Sequence, residues 1–412
     1  MCLFVCNIYN KQNYTELWPL RSFMMFDRYI THAFLNALSC IDRGGITIET
    51  PDGKRHSFQG AQSGAQAHVI LHDWNVARCM IQRGDIGLAE TYRDGRWDSP
   101  DPSAFFLFGL QNQDALAQYI FGNLWGRLAS RMGYLLNRNT LRGSSKNIQA
   151  HYDLGNDFYA LWLDPSMTYS SALFHDPQDS LQQAQHNKYD RILDRLDPSG
   201  RVLEIGCGWG GFMERALTRG DYIMKGLTLS PAQQAFAQKR LEPLGNNTNV
   251  ALEDYRHQKD RYHHIVSIEM FEAVGEAFWP VYFSKIKTLL AEKGKAVIQT
   301  ITVGDAFFDR YRQGGDAIRT FIFPGGMLPS PQRFRQETEK AGLKITDAFS
   351  FGQDYAVTLN HWLVNFENKL KEIKAMGFDD KFIRLWRFYL TCCIAAFRNG
   401  RTDVVQWELR HA

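Results

Sequence analysis

The chain has 412 residues, 44% hydrophobic and 22% charged, with 47 basic residues against 44 acidic ones for a net charge of +3. That usage excludes a disordered protein, a collagen-like repeat and a coiled-coil rod, and the length allows about two to three domains whose cores need no disulfide or metal staple. A balance this close to neutral does not advertise nucleic acid as a partner, so no nucleic-acid function is expected.

The seven cysteines are odd in number and include no CxxC pair. Neither a zinc site nor a disulfide framework is expected, and free thiols suit a reducing cytoplasm. The longest tempting apolar segment, 104–110, falls far short of the ~18 residues that a membrane span requires. The N-terminal MCLFVCNIYN has an apolar run but no basic flank, so it reads poorly as a signal peptide. Residues 1–26 are read as an extension.

Residues 27–103 read as a small α+β unit. Ile46 and Ile48 alternate with polar residues, Pro51-Asp52-Gly53 supplies a turn, and a second short strand follows at Ser57-Phe58. A further strand is expected over 67–71, then a helix over 75–83 stopped by Gly84. Residues 104–145 read as helical linker. Between Trp125 and Lys146 the chain carries Arg127, Arg131, Arg138 and Arg142 and no acid, with Leu128, Met132, Leu135 and Leu136 at helical spacing. Such a helix suits an anionic bilayer surface; the same pattern fits a connecting helix packed on its own protein. Gly143-Ser144-Ser145 marks the boundary to the unit 146–412.

From there strands and helices alternate: strand 201–205, a helix from Gly211, strand 222–227, helix 231–241, strand 264–269, an amphipathic helix 278–291, a turn at 292–295 and strand 296–301. The alternation predicts a doubly wound α/β fold with a parallel sheet, ligands lying beyond the carboxyl ends of the strands.

The sharpest local signal is Val202-Leu203-Glu204-Ile205-Gly206-Cys207-Gly208-Trp209-Gly210-Gly211, which follows a strand and opens a helix. Gly206, Gly208 and Gly211 also satisfy the GxGxxG of dinucleotide enzymes. A dinucleotide fold, however, wants an acid about 20 residues on for a ribose hydroxyl. Here the chain reads Thr228-Leu229-Ser230-Pro231. An acid at the strand end before the glycines is the pattern of S-adenosylmethionine (AdoMet) methyltransferases. AdoMet is therefore favoured over a nicotinamide, a flavin or a merely structural glycine turn.

A wider match then appears. The stretches 149–159 (Gln149-Ala150-His151-Tyr152-Asp153-Leu154-Gly155-Asn156) and 163–171 (Leu163-Asp164-Pro165-Ser166), Met270-Phe271-Glu272-Ala273-Val274-Gly275, Phe323-Pro324-Gly325-Gly326, Asp354-Tyr355-Ala356 and Trp386-Arg387-Phe388-Tyr389 resemble, in order, the blocks of the cyclopropane fatty acid and mycolic acid cyclopropane synthases. The match covers nearly all of 146–410; the N-terminal part resembles the smaller domain of the bacterial two-domain enzymes more loosely. The resemblance implies a class I AdoMet methyltransferase, Rossmann-like and doubly wound, with a smaller N-terminal α+β domain. It implies methyl transfer to the double bond of an unsaturated acyl chain in a membrane phospholipid, and a homodimer; with the free thiols and the basic stretch 125–146, the expected location is the cytoplasm, at the inner face of the membrane. Tyr152 would set a ring near the sulfonium, an interaction favourable by ~0.5–2 kcal/mol. Tyr169 and Ser170 would hold the methionine end alongside Glu204, Gly206 and Gly208. Thr228 and Gln233 would hold the ribose, and Asp254 and Tyr255 the adenine.

In the family the base is a bound bicarbonate. Its ligands resemble Glu272, the Tyr355 hydroxyl, main chain at Ile301 and Ser171, and a histidine that this chain replaces with Gln299. Ser171 stands where the family usually has cysteine. Glutamine donates a hydrogen bond but cannot become cationic, so it would hold an anion less tightly. The product would be a cyclopropane, a methylene branch or a methylated chain. Two other readings are open: a lipid-binding protein without turnover, which the altered base site motivates and the retained AdoMet set argues against, and a methyltransferase for a soluble small molecule, against which the basic stretch 125–146 speaks.

Overall fold

The computed structural model describes residues 20–117, with side chains from residue 26, and residues 154–412. The basic stretch 125–146 and Tyr152 lie outside the described residues.

The first described helix, α1 (Leu20–Ala37), crosses the expected boundary at residue 26. Strands β1 (Arg43–Glu49), β2 (Arg55–Gln59), β3 (Gln62–Leu71) and β4 (Trp97–Asp98) form a four-stranded sheet in the order β2-β1-β3-β4. β1 buries Ile46 and Ile48 on one face, as their alternation requires. Helices α2 (Asn75–Arg83) and α3 (Asp85–Arg93) meet at Gly84, whose φ of 61° ends the first helix. Asp101 caps α4 (Pro102–Gln111), accepting from Ala104 N–H, with Pro102 at the first helical position where its missing N–H costs nothing.

The larger sheet has seven strands in the order β10-β11-β9-β8-β5-β6-β7. These are β5 (Ser199–Ile205), β6 (Asp221–Thr228), β7 (Thr248–Leu252), β8 (Tyr262–Ile268), β9 (Leu290–Val303), β10 (Leu343–Ser350) and β11 (Thr402–His411). β5 to β9 pair in parallel. β11 runs antiparallel to both β9 and β10, so the sheet is mixed rather than wholly parallel. The expected turn at 292–295 is instead part of β9, which starts at Leu290 and accommodates the extra residues by a register shift against β8 between Tyr262 and His264.

The order reverses between β5 and β8, so a crevice opens at the carboxyl ends of these two neighbours. Helices α5 (Asn156–Ala160), α6 (Leu181–Leu193), α7 (Gly211–Arg219), α8 (Pro231–Leu241) and α9 (Trp279–Leu289) precede or join these strands. Ser230 caps α8 through Gln233 N–H, again with proline next in the chain.

Two late helices, α10 (Gly352–Asn368) and α11 (Asp380–Arg398), tie the halves together. α11 packs against α10 on one side and against α3 and α4 on the other. Arg384 donates to Trp97 O at 2.8 Å, and Ala317 N–H to the Asp85 carboxylate at 3.1 Å. Phe388 is buried among Tyr92, Trp97 and Phe106 of the smaller unit. Burying a side chain of that size stabilises by roughly 1.5–3 kcal/mol, so α11 joins the two sheets through apolar contact as well as polar contact.

Candidate active site

The glycine loop follows β5 directly. Gly206, Gly208 and Gly210 all adopt positive φ, at 85°, 51° and 82°, a path that side chains resist. A Cβ on Gly206 would stand 2.8 Å from the Met270 side chain. Hydrogen bonds from Gly206 and Cys207 N–H to Leu227 O, at 3.0 and 2.8 Å, fasten the loop to β6.

Beyond this loop lies a cavity of about 170 Å³. Tyr169, Ser170, Glu204, Gly206, Gly208, Thr228, Gln233, Asp254 and Tyr255 all line it. Glu204, 3% exposed, leaves its Oε2 without a hydrogen-bond partner. Burial pushes its carboxyl up to about 8, against the pull of Lys188. A buried, unpartnered carboxylate facing a cavity needs a donor, and the cationic methionine end of AdoMet provides one. The cavity's residues thus fit AdoMet. Thr228 donates to the Gln233 carboxamide oxygen at 2.8 Å, so the two form one polar edge. The Ser170 hydroxyl accepts from Lys188 at 2.6 Å. Asp254 is held by the Arg256 guanidinium at 2.8 and 2.6 Å, which keeps its carboxyl below the usual range despite burial.

A second cavity, of about 450 Å³, is lined mainly by apolar side chains from both halves of the molecule. Phe34, Leu88, Phe105, Phe106 and Phe108 come from the smaller unit; Ile301, Leu359, Phe388 and Cys392 come from the larger. Tyr169, Glu269 and Ala273 line both cavities, so the two meet there. The Tyr169 hydroxyl pairs with that of Tyr389 at 2.9 Å, and its ring packs on Tyr159, Trp162 and Trp362.

At the junction the expected anion-site residues converge, though on side chains rather than on an open pocket. Ser171 N–H and the Gln299 amide each donate to Glu269 Oε1 at 2.8 Å, and the Tyr355 hydroxyl donates to Oε2 at 2.6 Å. Ile301 N–H and the Thr300 hydroxyl donate to Glu272 Oε1. The residues present therefore do not fit a bicarbonate: the donors expected for it already have carboxylate acceptors.

Glu269 was not singled out by sequence. It follows β8 with a φ of 49°, one of two positive values outside glycine among the described residues. Its N–H donates to Gln299 O at 2.8 Å, pinning β8 to β9. Gln299 is oriented in turn: its oxygen accepts from Gln406 at 3.0 Å, and the Gln406 oxygen accepts from Arg191 at 2.7 Å. That chain leaves the Gln299 NH2 to face Glu269.

Burial raises the Glu269 carboxyl, while Tyr355, Lys188, Ser171 N–H and Gln299 pull it back. Burial and the neighbouring Glu269 charge push Glu272 up to about 8, and its Oε2 has no hydrogen-bond partner. Burial thus disfavours a second charge beside the first, while three donors favour the ionised form of Glu269.

Residues 139–407 match the family model described as mycolic acid cyclopropane synthetase. The chain is 36% identical over 347 residues to tuberculostearic acid methyltransferase UfaA1 of Mycobacterium tuberculosis, covering 81% of each chain. It is 35% identical over 353 residues to cyclopropane-fatty-acyl-phospholipid synthase of Escherichia coli, covering 84% of this chain and 87% of that one. Among solved structures, the mycolic acid cyclopropane synthase CmaA1 complexed with S-adenosylhomocysteine and CTAB superposes with a TM-score of 0.60 at 33% identity, over 64% of this chain and 97% of that one. The chain belongs to the mycolic acid cyclopropane synthetase family and is an AdoMet-dependent methyltransferase.

Proposed function

We propose that the enzyme methylates a carbon of a double bond in an unsaturated fatty acyl chain of a phospholipid, and that it does so at a membrane surface. One observation carries this reading: a polar cavity suited to AdoMet and a larger apolar cavity meet at Tyr169, Glu269 and Ala273. AdoMet supplies an electrophilic methyl group. Glu204 would pair with its ammonium, Thr228 and Gln233 would hold its ribose, and Asp254 and Tyr255 would frame its adenine. The apolar walls hold a flexible chain by burial and keep water from the junction, where it would trap a carbocation as an alcohol. Tyr169 lines that junction, and an aromatic ring close by favours positive charge.

The relatives' names concern fatty acyl or mycolic acid chains, and an apolar cavity of this size suits the same substrate class. No described helix is long and apolar enough to cross a membrane. The basic, acid-free sequence 125–146 supports docking on an anionic bilayer instead.

The test is incubation of the purified protein with AdoMet and vesicles of monounsaturated phospholipid, followed by fatty-acid analysis. A gain of one CH2 unit is expected, and fragmentation distinguishes a ring from a methylene or methyl branch. Unchanged fatty acids with intact AdoMet binding would instead favour a lipid binder without turnover. Methylation confined to soluble amines would assign the alternative substrate class.

A further inference from the structure

Methylation of an alkene leaves positive charge on the acyl chain, and a proton must depart before a ring or a new double bond forms. A base is required at the meeting point of the two cavities. The Glu269 carboxylate lines both cavities. Its two oxygens take Ser171 N–H, the Gln299 amide and the Tyr355 hydroxyl at 2.6–2.8 Å. A carboxylate so held has the planar O–C–O and the charge of one end of a bicarbonate, and it occupies the donors expected to bind that ion. We infer that Glu269 is the enzyme's resident general base, carried on the chain in place of a bicarbonate taken from solution. This rests on the reading of the reaction as methyl transfer to an acyl double bond.

The proton transfer balances without a co-reactant. For a ring, a C–H bond of the transferred methyl group breaks and its electron pair becomes the closing bond to the cationic carbon; for an alkene, a C–H bond on a carbon attached to the cationic carbon breaks and its electron pair becomes the second bond. The proton passes to a Glu269 oxygen, converting carboxylate to carboxylic acid, and is returned to solvent between turnovers. The left-handed backbone at Glu269 serves this placement, since it turns the chain sharply at the carboxyl end of β8. A glycine accepts that conformation without strain, so Glu269→Gly removes the carboxylate and leaves the backbone path open.

The experiment measures methyl transfer to monounsaturated phospholipid vesicles in carbonate-free buffer, with and without added bicarbonate, alongside AdoMet binding by calorimetry. The wild-type rate is expected to change by less than about twofold on adding bicarbonate. Glu269→Gly is expected to bind AdoMet, to lose roughly 100-fold or more in rate, and to regain activity with bicarbonate or formate. Glu269→Gln fills the site and is expected to lose activity without regaining it. A wild type that needs bicarbonate, or a Glu269→Gly enzyme that keeps its rate without any added anion, overturns the assignment of Glu269 alone. A wild type that methylates no unsaturated lipid under any of these conditions overturns the underlying reaction as well.

Discussion

Lys188 donates its ammonium to the Ser170 hydroxyl at 2.6 Å while fully shielded from solvent. Burial pulls the ammonium down to about 7, and Glu269, Asp164 and Glu204 are the charges that oppose that pull. The same cation lowers both Glu204 and Glu269, so it couples the AdoMet cavity to the base.

Lys188→Met removes that coupling. Both carboxylates then rise, and an ionised Glu269 requires a higher pH. The acid limb of the kcat/KM profile is expected to move up by roughly one unit or more, the size of effect an adjacent opposite charge produces. The alkaline plateau should fall only a few-fold. A uniform loss with an unmoved limb would make Lys188 a packing residue. Lys188 is thus a positioning residue, read through the pH profile rather than through rate alone.

Glu204 gives AdoMet binding a pH dependence of known sign. Its carboxyl stands near 8 in the free protein, against 4.5 ordinarily, because burial disfavours the charge. Pairing with an ammonium favours the ionised form, so binding expels a proton below pH ~8, and affinity is expected to fall about tenfold per unit on acidification. Titration calorimetry in two buffers of different ionisation enthalpy reads that proton directly. Folding stability runs the other way. A raised folded-state value contributes stability below about 4.5 that is lost as pH rises through about 8. Glu204→Gln should therefore weaken AdoMet by roughly 10- to 100-fold, the worth of a charged hydrogen bond, yet leave the unliganded protein at least as heat-stable at pH 8. Weaker binding accompanied by a lower melting temperature would argue for a structural role only.

The alternation of strands and helices in 201–301 was legible, as was the glycine loop, because both depend on local pattern. β11 running antiparallel between β9 and β10 was not, since nothing within Thr402–His411 states its direction. Glu269 was the larger omission. In sequence it ends an apolar strand run. Its role appears only when Ser171, 98 residues earlier, and Tyr355, 86 residues later, are brought to the same carboxylate. The replacement of a histidine by Gln299 was the one available signal. It marked a changed anion site without naming what fills it.

The apolar cavity should set chain preference. Ala396 on α11 lines it beside Cys392, Cys393 and Phe397. Ala396→Phe fills part of that space. Turnover on longer acyl chains is expected to drop by roughly 10-fold or more relative to shorter ones, in line with ~1–3 kcal/mol for a methylene-scale misfit in an apolar pocket. AdoMet affinity should not change. Competition between vesicles of two chain lengths, read by fatty-acid analysis, checks this, and equal losses on both would place the chain elsewhere.

Glu272 separates the two carboxylates by role. By family resemblance alone, Glu272→Gln should abolish turnover. With Glu272 protonated at neutral pH, a glutamine reproduces it: the amide oxygen takes Ile301 N–H and the Thr300 hydroxyl, and the NH2 replaces the protonated oxygen. The rate is expected to fall by less than about tenfold, against roughly 100-fold or more for the same exchange at 269. Reversed magnitudes would transfer the base to Glu272.

Gln299→His introduces the residue that the family resemblance leads one to expect at this position. An imidazole can become cationic and would hold a small anion more tightly than a carboxamide does. With Glu269 still in place, however, the acceptor position is filled, so added bicarbonate is expected to leave the Gln299→His rate unchanged within about twofold. The histidine should matter only once the carboxylate is gone: Glu269→Gly with Gln299→His is expected to reach half-maximal rescue at a bicarbonate concentration several-fold lower than Glu269→Gly alone. The two changes are then non-additive because their side chains share one hydrogen bond, 2.8 Å long in the parent. Rate measured against bicarbonate concentration for the four proteins decides the matter. A Gln299→His enzyme that gains bicarbonate dependence by itself would mean that the ion binds beside Glu269 rather than in its place.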